Sequence, residues 1–347
     1  MSNKKNDSAC CKNGRLGRVG GQAVLEGVMM KCGERTALAV REENGNVKVE
    51  TSSFVSIRKK YKILAVPLIR GVANFVESMM HSYKTLMRSA EMLGIDEVDE
   101  ESKVEMWLRK HLGEKFVGIL MGIAMVIGVF LALGLFMYLP AFLTSLIDGA
   151  LGGIGWFRNL IEGLMKIAIF VVYISLCSLL KDMRRTFEYH GAEHKSIDCY
   201  EAGLELTPEN AKKCTRFHPR CGTSFIFVIL ILSILVNSVV SWDNLVLRFV
   251  FKILLLPVIV GLGFEFIAYA GKHTNIFTKI LSAPGLWMQR ITTREPDESQ
   301  LEVAITALKH AMPDEFPEIA ETEEAAPAAD GACAADPASD SDDAADA

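Results

Sequence analysis

Four apolar runs constrain this chain more than any other feature of it. Phe116 to Leu139 carries no charge, and Gly163 to Leu180 carries only Lys166. Phe225 to Val240 is uncharged, and Phe249 to Ala270 carries Lys252 and Glu265. Each run approaches the roughly 20 residues a helix needs to cross about 30 Å of hydrocarbon. Strands with open edges would leave backbone groups unpaired in lipid, so helices are the expected form. Four buried helices of a soluble protein are the competing reading, but apolar runs of this length are rare outside bilayers. Composition agrees: 50% of residues are hydrophobic and 23% are charged, with the two classes segregated along the chain. The expected fold is therefore mainly α, a polytopic membrane bundle of about four transmembrane helices.

Charge sets the expected orientation. Twenty Lys and Arg precede the first run, eight lie between Lys181 and Arg220, and five follow the last run. The two short connections on the other side hold only Arg158 and Arg248. By the positive-inside rule both termini and the 181–220 loop are cytoplasmic, in a multi-pass arrangement. No secretory signal is read at the N-terminus. A reducing compartment disfavours disulfides and leaves thiols free for metal. The net charge of -5 hides an asymmetry, because Asp314 to Asp346 supply twelve acids and no base follows Lys309. Without those twelve, 37 basic residues face 30 acidic ones, which suits an anionic lipid surface. The lipid bilayer is thus the expected partner, and nothing points to nucleic acid or to an oligomeric state.

The remaining sequence divides around these runs. Residues 1–19 read as a flexible basic tail, and 20–112 as a cytoplasmic region with a small β-hairpin and an amphipathic helix. The hairpin signal is Asn44-Gly45 between Ala37–Val40 and Val47–Val49. Gly20 to Met30 lacks the residues of a phosphate loop and reads instead as a tight turn packed on the membrane domain. Pro67 to Leu93 has helical periodicity, with Leu68, Val72, Phe75, Val76, Met79, Met80, Tyr83, Leu86 and Met87 mostly on one face. Such a helix either lies in the bilayer interface or packs on the bundle. Asp96 to Glu105 reads as an acidic linker. The membrane domain spans 113–281 and includes a cytoplasmic His/Cys/Glu loop at 181–224. Ser282-Ala-Pro-Gly reads as a break before an interfacial anchor at Trp287, and Ser299 with Glu302 as the capping box of a short helix within 282–312. Residues 313–347 read as a disordered acidic tail.

The unusual chemistry is concentrated in that loop. His190, His194, His218, Cys199, Cys214 and Cys221 all fall within it, around the string His190-Gly-Ala-Glu193-His194. On a helix, residues four apart stand about 40° from each other, so both imidazoles project side by side at a spacing suited to one zinc ion. Glu193 falls on the same side, placed as a general base. His218 and Cys221 arrive from the start of the third run and are the candidates to close the site. Glu201, eleven residues after His190, is on the right helical face and reads as an alternative ligand or a group behind the site. It lies seven residues beyond His194, however, about 10 Å along a straight helix, so the two share an ion only if the helix breaks between them. The competing reading is a helix whose histidines only hydrogen-bond to neighbours. His81 and His111 are isolated and read as solvated or interfacial. Glu265, inside the fourth run, needs a partner or a water-filled cavity. It reads as an alternative ligand, an acid behind the site, or an ion pair with Lys272 or Arg220 that holds helices together.

Five strings resemble a known family in order along the chain. They are Gly-Gly-Gln-Ala-Val-Leu-Glu-Gly-Val-Met-Met at 20–30, Pro-Leu-Ile-Arg-Gly-Val at 67–72, Tyr-His-Gly-Ala-Glu-His-Lys at 189–195, His-Pro-Arg-Cys-Gly-Thr-Ser-Phe at 218–225 and Thr-Thr-Arg-Glu-Pro at 292–296. The chain resembles the YqhQ-like family of uncharacterised bacterial membrane proteins, described as predicted metal-dependent enzymes. The resemblance implies a bacterial inner (cytoplasmic) membrane location. It also implies that His190, Glu193, His194, Glu201, His218, Arg220 and Cys221 occupy motif positions, with Glu26 and Glu265 in matching stretches. It supplies no substrate, and it does not include Cys199 or Cys214.

Two functions follow as expectations. One is a zinc-dependent hydrolase at the cytoplasmic membrane surface, with a lipid or membrane-protein substrate and Glu193 as base. The other is a non-catalytic scaffold or assembly factor with a structural metal or a hydrogen-bond network. A transporter is the weaker third, since Glu265, Lys166 and Lys252 are too few to define an ion path.

Overall fold

The computed structural model describes residues 15–57, 61, 64, 66, 68–94, 114–239, 245–270 and 275–319. The expected acidic linker at 96–105, His111 and Lys272 lie outside these residues. So do most of the basic tail and the last part of the acidic one.

The chain is mainly helical, with a four-stranded antiparallel meander at its start: β1 Val19–Val24, β2 Gly27–Cys32, β3 Arg35–Arg41 and β4 Val47–Ser53, in that spatial order. The expected hairpin is present as β3 and β4. Glu42 N–H donates to the Asn46 carbonyl at 2.9 Å, and Gly45 turns the chain at φ 89°. The hairpin expectation was too small, however. Gly20 to Met30 is not a tight turn but a second hairpin, β1 and β2, reversing at Leu25-Glu26 with Val24 opposite Gly27. Three glycines and a Gln masked its strand pattern, because they carry little β propensity of their own.

This sheet is buried on both faces. Val28, Met30, Ala37 and Ala39 point to one side, and Met29, Leu38 and Val40 to the other. The first side is covered by two helices, α5 (Lys181–Glu201) and α10 (Glu298–Ala311), through Ala192, Leu301, Ala304 and Leu308. Each fully buried Leu or Met there stabilises the fold by about 1.5–3 kcal/mol. The second side meets the end of α1 (Ile69–Met92) through Met92. Segments far apart in sequence thus share one core. Residues 313–319 join it as well: Arg18 donates to Glu315 at 2.5 Å, and Tyr200 Oη donates to Glu315 at 2.9 Å.

The apolar runs form α2 (Glu114–Leu133), a π-helical turn at Gly134–Tyr138, α3 (Leu139–Ala150), α4 (Arg158–Cys177), α7 (Gly222–Val239) and α8 (Leu245–Ala270). A short α6 (Pro208–Lys213), capped by Thr207, lies between α5 and α7. Among the described residues, two segments are long and apolar enough to cross a bilayer, Ile123–Ala150 and Arg158–Cys177. Gly222–Val236 and Ile253–Ile267 are shorter apolar stretches. Outward-facing side chains set these helices apart from a soluble core: Met125 is 74% exposed and Phe130 69%. Asp148 ties the α3–α4 turn, accepting from Ile154 N–H at 2.6 Å and from Arg158 at 3.0 Å.

Two local expectations are corrected. No break occurs at Pro284, because α9 (Ile276–Thr292) runs straight through it. Proline forfeits one hydrogen bond, but Gly285 lets α9 press against Ser224 of α7, where a Cβ would stand 2.7 Å from the Ser224 Cα. The α10 cap is Asp297 with Gln300, not Ser299 with Glu302. Aspartate accepts well from an N-terminal N–H, and the Ser299 hydroxyl donates to it at 2.6 Å.

Candidate metal centre

Helix α5 is unusual in being polar and yet buried along its second half. Glu193, His194, Lys195, Ser196 and Glu201 are all buried. Buried polar groups are costly unless partnered, and His194, Lys195 and Glu201 each have hydrogen-bond or ion-pair partners, whereas Ser196 Oγ has none among the described residues. The helix holds together because Asp182 sits in its first turn, no proline interrupts it, and Gly203 at φ 71° ends it. Gly191 is required by its surroundings. A Cβ there would strike the Arg294 carbonyl oxygen, which belongs to the extended segment leaving α9.

The two imidazoles lie with ring centroids 4.5 Å apart. His190 Nδ1 donates to the Thr292 carbonyl at 2.8 Å, and His194 Nδ1 donates to the Arg216 carbonyl at 2.6 Å. A carbonyl oxygen can only accept, so each Nδ1 carries a hydrogen and Nε2 is the nitrogen left to offer a lone pair to an ion. His190 Nε2 is 3.2 Å from Cys221 Sγ. Burial lowers the pKa of His194, opposed by the Cys221 thiol, so the ring is held neutral as a ligand must be. One ligand atom from each of His190, His194 and Cys221 lies within 4.8 Å of the other two. Donor atoms around a tetrahedral zinc stand roughly 3.3–3.8 Å apart, so a small inward movement suffices. Two imidazoles and a thiol, each imidazole oriented from behind by a carbonyl, fit a zinc-type ion.

Glu193 borders this group. Its Oε2 is 3.9 Å from His190 Nε2, and it is only 5% exposed. Burial pushes its carboxyl above the usual range, opposed by His190 and His218. The sheet closes over it: a Cβ on Gly21 of β1 would lie 2.7 Å from the Glu193 Cγ.

The other expected residues take different places. His218 turns away from the cluster, with Nε2 3.1 Å from Arg220 Nη2 and 3.9 Å from Glu201 Oε2. Its ring is 5.6 Å from that of His194. Glu201 accepts from Gly17 N–H at 2.8 Å and pairs with Arg220. Burial alone would push its carboxyl up, but His218, the Gly17 N–H and Arg220 outweigh it and hold it down at about 2. Glu26 pairs with Arg185 and accepts from Tyr189 Oη at 3.3 Å, fastening the β1–β2 turn to α5. Glu265 forms a bidentate pair with Arg70, at 2.7 and 2.6 Å. The helix-holding ion pair is therefore the right kind of contact, with Arg70 in place of Arg220, while Lys272 lies outside the described residues.

Several site residues carried no sequence signal of their own. Gln289 is fully buried. Its Oε1 accepts from His218 N–H at 2.8 Å, and its Nε2 donates to the His218 carbonyl at 2.7 Å and to Ser224 at 3.0 Å. It thereby fixes the turn that delivers Cys221. Thr292 and Arg216 act through backbone carbonyls, which any residue possesses. The Thr-Thr-Arg-Glu-Pro string earns its place because Arg294 N–H donates to the Phe187 carbonyl at 2.8 Å and Glu295 pairs with Lys195 at 2.5 Å.

Fold and site together define a mainly helical protein in which a sheet-backed polar helix presents two oriented imidazoles to a thiol just before the start of α7. Residues 66–314 match the family described as "Protein of unknown function (DUF1385)", and the chain belongs to that family. It is 33% identical over 304 residues to "Uncharacterized protein YqhQ" of Bacillus subtilis (strain 168), covering 84% of this chain and 92% of that one. No solved structure matches it.

Proposed function

We propose that this protein is a multi-pass membrane hydrolase that uses a divalent metal, zinc by its donor set, at the cytoplasmic membrane surface. The four apolar segments, α2 with α3, α4, α7 and α8, are the spans, and both termini are cytoplasmic. The outward-facing side chains of α2 and α4 and the distribution of Lys and Arg support this topology. The observation that carries the metal reading is the approach of His190, His194 and Cys221 within 4.8 Å, with both Nδ1 atoms committed to carbonyls. Held there, a divalent metal would supply Lewis acidity and lower the pKa of a water to about 7. The chain's own residues supply the rest. Glu193 takes the proton from the attacking water, and the β1 backbone at Gly21 keeps bulk solvent from its carboxylate. A lipid or membrane-protein substrate fits a site at the end of spanning helices.

A second reading is a non-catalytic scaffold with a structural metal. The near-complete burial of His194 (1% exposed) and Glu193 favours it, since little of either faces outward. The two readings part at Glu193→Gln. A hydrolase loses function in a cell-based complementation assay while keeping its metal and its fold. A scaffold keeps function, and that result would remove the catalytic proposal.

A further inference from the structure

Helix α1 is amphipathic in the reverse sense to a helix on a soluble protein. Its buried positions include Gly71, Asn74, Glu77, Thr85 and Ser89. Its exposed positions include Ile69, Val76, Met79, Met80, Tyr83 and Met87, of which Tyr83 is 65% exposed. At 100° per residue those six side chains fall within an arc of about 100°, opposite the buried face. The polar face is already used. Glu77 accepts from Ser56 Oγ at 2.8 Å and from Ile57 N–H at 2.6 Å, and the Ser82 carbonyl accepts from Gln22 at 3.3 Å. A helix that turns Asn74, Glu77, Thr85 and Ser89 inward and shows methionines, a valine and a tyrosine along its opposite arc is built for an apolar surrounding on that arc.

We propose that α1 lies in the membrane interface with this arc in lipid, so that the β-sheet is moored to the bilayer along one face. The occupant is read from continuity. The start of α1 is fastened to α8 by the Arg70–Glu265 pair and by Gly71, where a Cβ would stand 2.8 Å from the Gly261 Cα. Phe75 meets Phe225 of α7 with ring centroids 5.8 Å apart. The outward side chains of α8, Leu254 and Leu256 among them, are themselves apolar and exposed, and Leu262, beside the Gly261 contact with α1, is exposed as well, which brings the apolar surface of α8 up to α1. Lys84, exposed beside the arc, supplies a cation suited to anionic headgroups, whereas Arg88 is held by Glu50 and Glu91. At about 1.5 Å per residue the helix would cover about 36 Å of membrane surface. The inference rests on the spanning role of α8 in the proposed function, and it adds a membrane element that does not span.

The test uses the full-length protein reconstituted in vesicles of phosphatidylethanolamine and phosphatidylglycerol containing an alkyne-tagged phospholipid. The photoreactive p-benzoylphenylalanine is placed singly at Met79, Tyr83, Leu254 or Glu302. Glu302 lies on α10, across the sheet from α1, with an exposed side chain. Lipid adducts are expected at Met79 and Tyr83 in yields comparable with Leu254, and they should be lost at Glu302. Adducts at Leu254 without any at Met79 and Tyr83 overturn the mooring while leaving α8 in the membrane. A cross-linked dimer at Tyr83 in place of a lipid adduct assigns the arc to a second copy and overturns it too. Absence of adducts at Leu254 as well removes both this inference and the spanning reading.

Discussion

Replacing Gly191 by alanine sets two physical effects of opposite sign against each other. In an ordinary helix interior the change stabilises by about 1 kcal/mol, because alanine loses less backbone entropy. At position 191 the new methyl would run into the Arg294 carbonyl oxygen. That oxygen cannot yield alone, since Arg294 N–H is bonded to the Phe187 carbonyl at 2.8 Å and the Arg294 guanidinium to the Ser178 carbonyl at 3.1 Å. Overpacking against fixed backbone costs about 1–3 kcal/mol, so the net change is a loss of stability. The segment displaced also carries the Thr292 carbonyl, which orients His190. Loss of such an orienting contact costs roughly 10–100-fold in metal affinity. Thermal unfolding of the detergent-solubilised protein measures the first effect, and zinc competition with a chromogenic chelator measures the second. A variant that is more stable than wild type and binds zinc equally well would refute the packing argument. Gly20→Ala is the control, because nothing lies within 4 Å of a Cβ there, and it should be silent.

Other perturbations have equally definite outcomes. Gln289→Leu leaves the His218 N–H and carbonyl unpaired in a buried site, so a loss of about 1–3 kcal/mol is expected by thermal unfolding, with a weaker metal site through Cys221. Glu201 is held near a pKa of about 2, below its value in an unfolded chain, so its stabilising contribution is present above the usual carboxylate range and lost as pH falls toward 2. Glu201→Gln should therefore flatten the acid limb of the stability–pH curve, and an unchanged limb would count against the Arg220 network. Arg70→Gln leaves Glu265 of α8 without its cation and should loosen α1, seen as faster proteolysis between the sheet and α2. Adding Glu265→Gln should restore part of the protection.

Much of the architecture was legible from sequence because the signals were strong and local. The apolar runs, the Asn44-Gly45 turn and the periodic stretch ending near Leu93 each follow from composition at fixed spacing. The first hairpin was not legible, since Gly20, Gly21 and Gln22 make strand only when a sheet and α5 exist to pack on. Proline at 284 misled for the same reason: the close contact of Gly285 with Ser224 is tertiary. At the site, the i, i+4 imidazoles and Cys221 were readable. The direction of the His218 ring was not, because it faces Arg220 and the distant Glu201 of α5, a pairing made only in the folded chain. Orienting carbonyls leave no trace in side-chain identity, so Thr292 and Arg216 could be found only in three dimensions.

The most direct measurement is the metal content of the purified full-length protein, by elemental analysis, beside single alanine variants. One zinc per chain is expected in wild type, in His218→Ala and in Glu193→Gln, and its loss in His190→Ala, His194→Ala and Cys221→Ala. A folded wild-type protein that holds no metal and still functions in cells would contradict the shared-ion centre. So would a metal content indifferent to those three side chains.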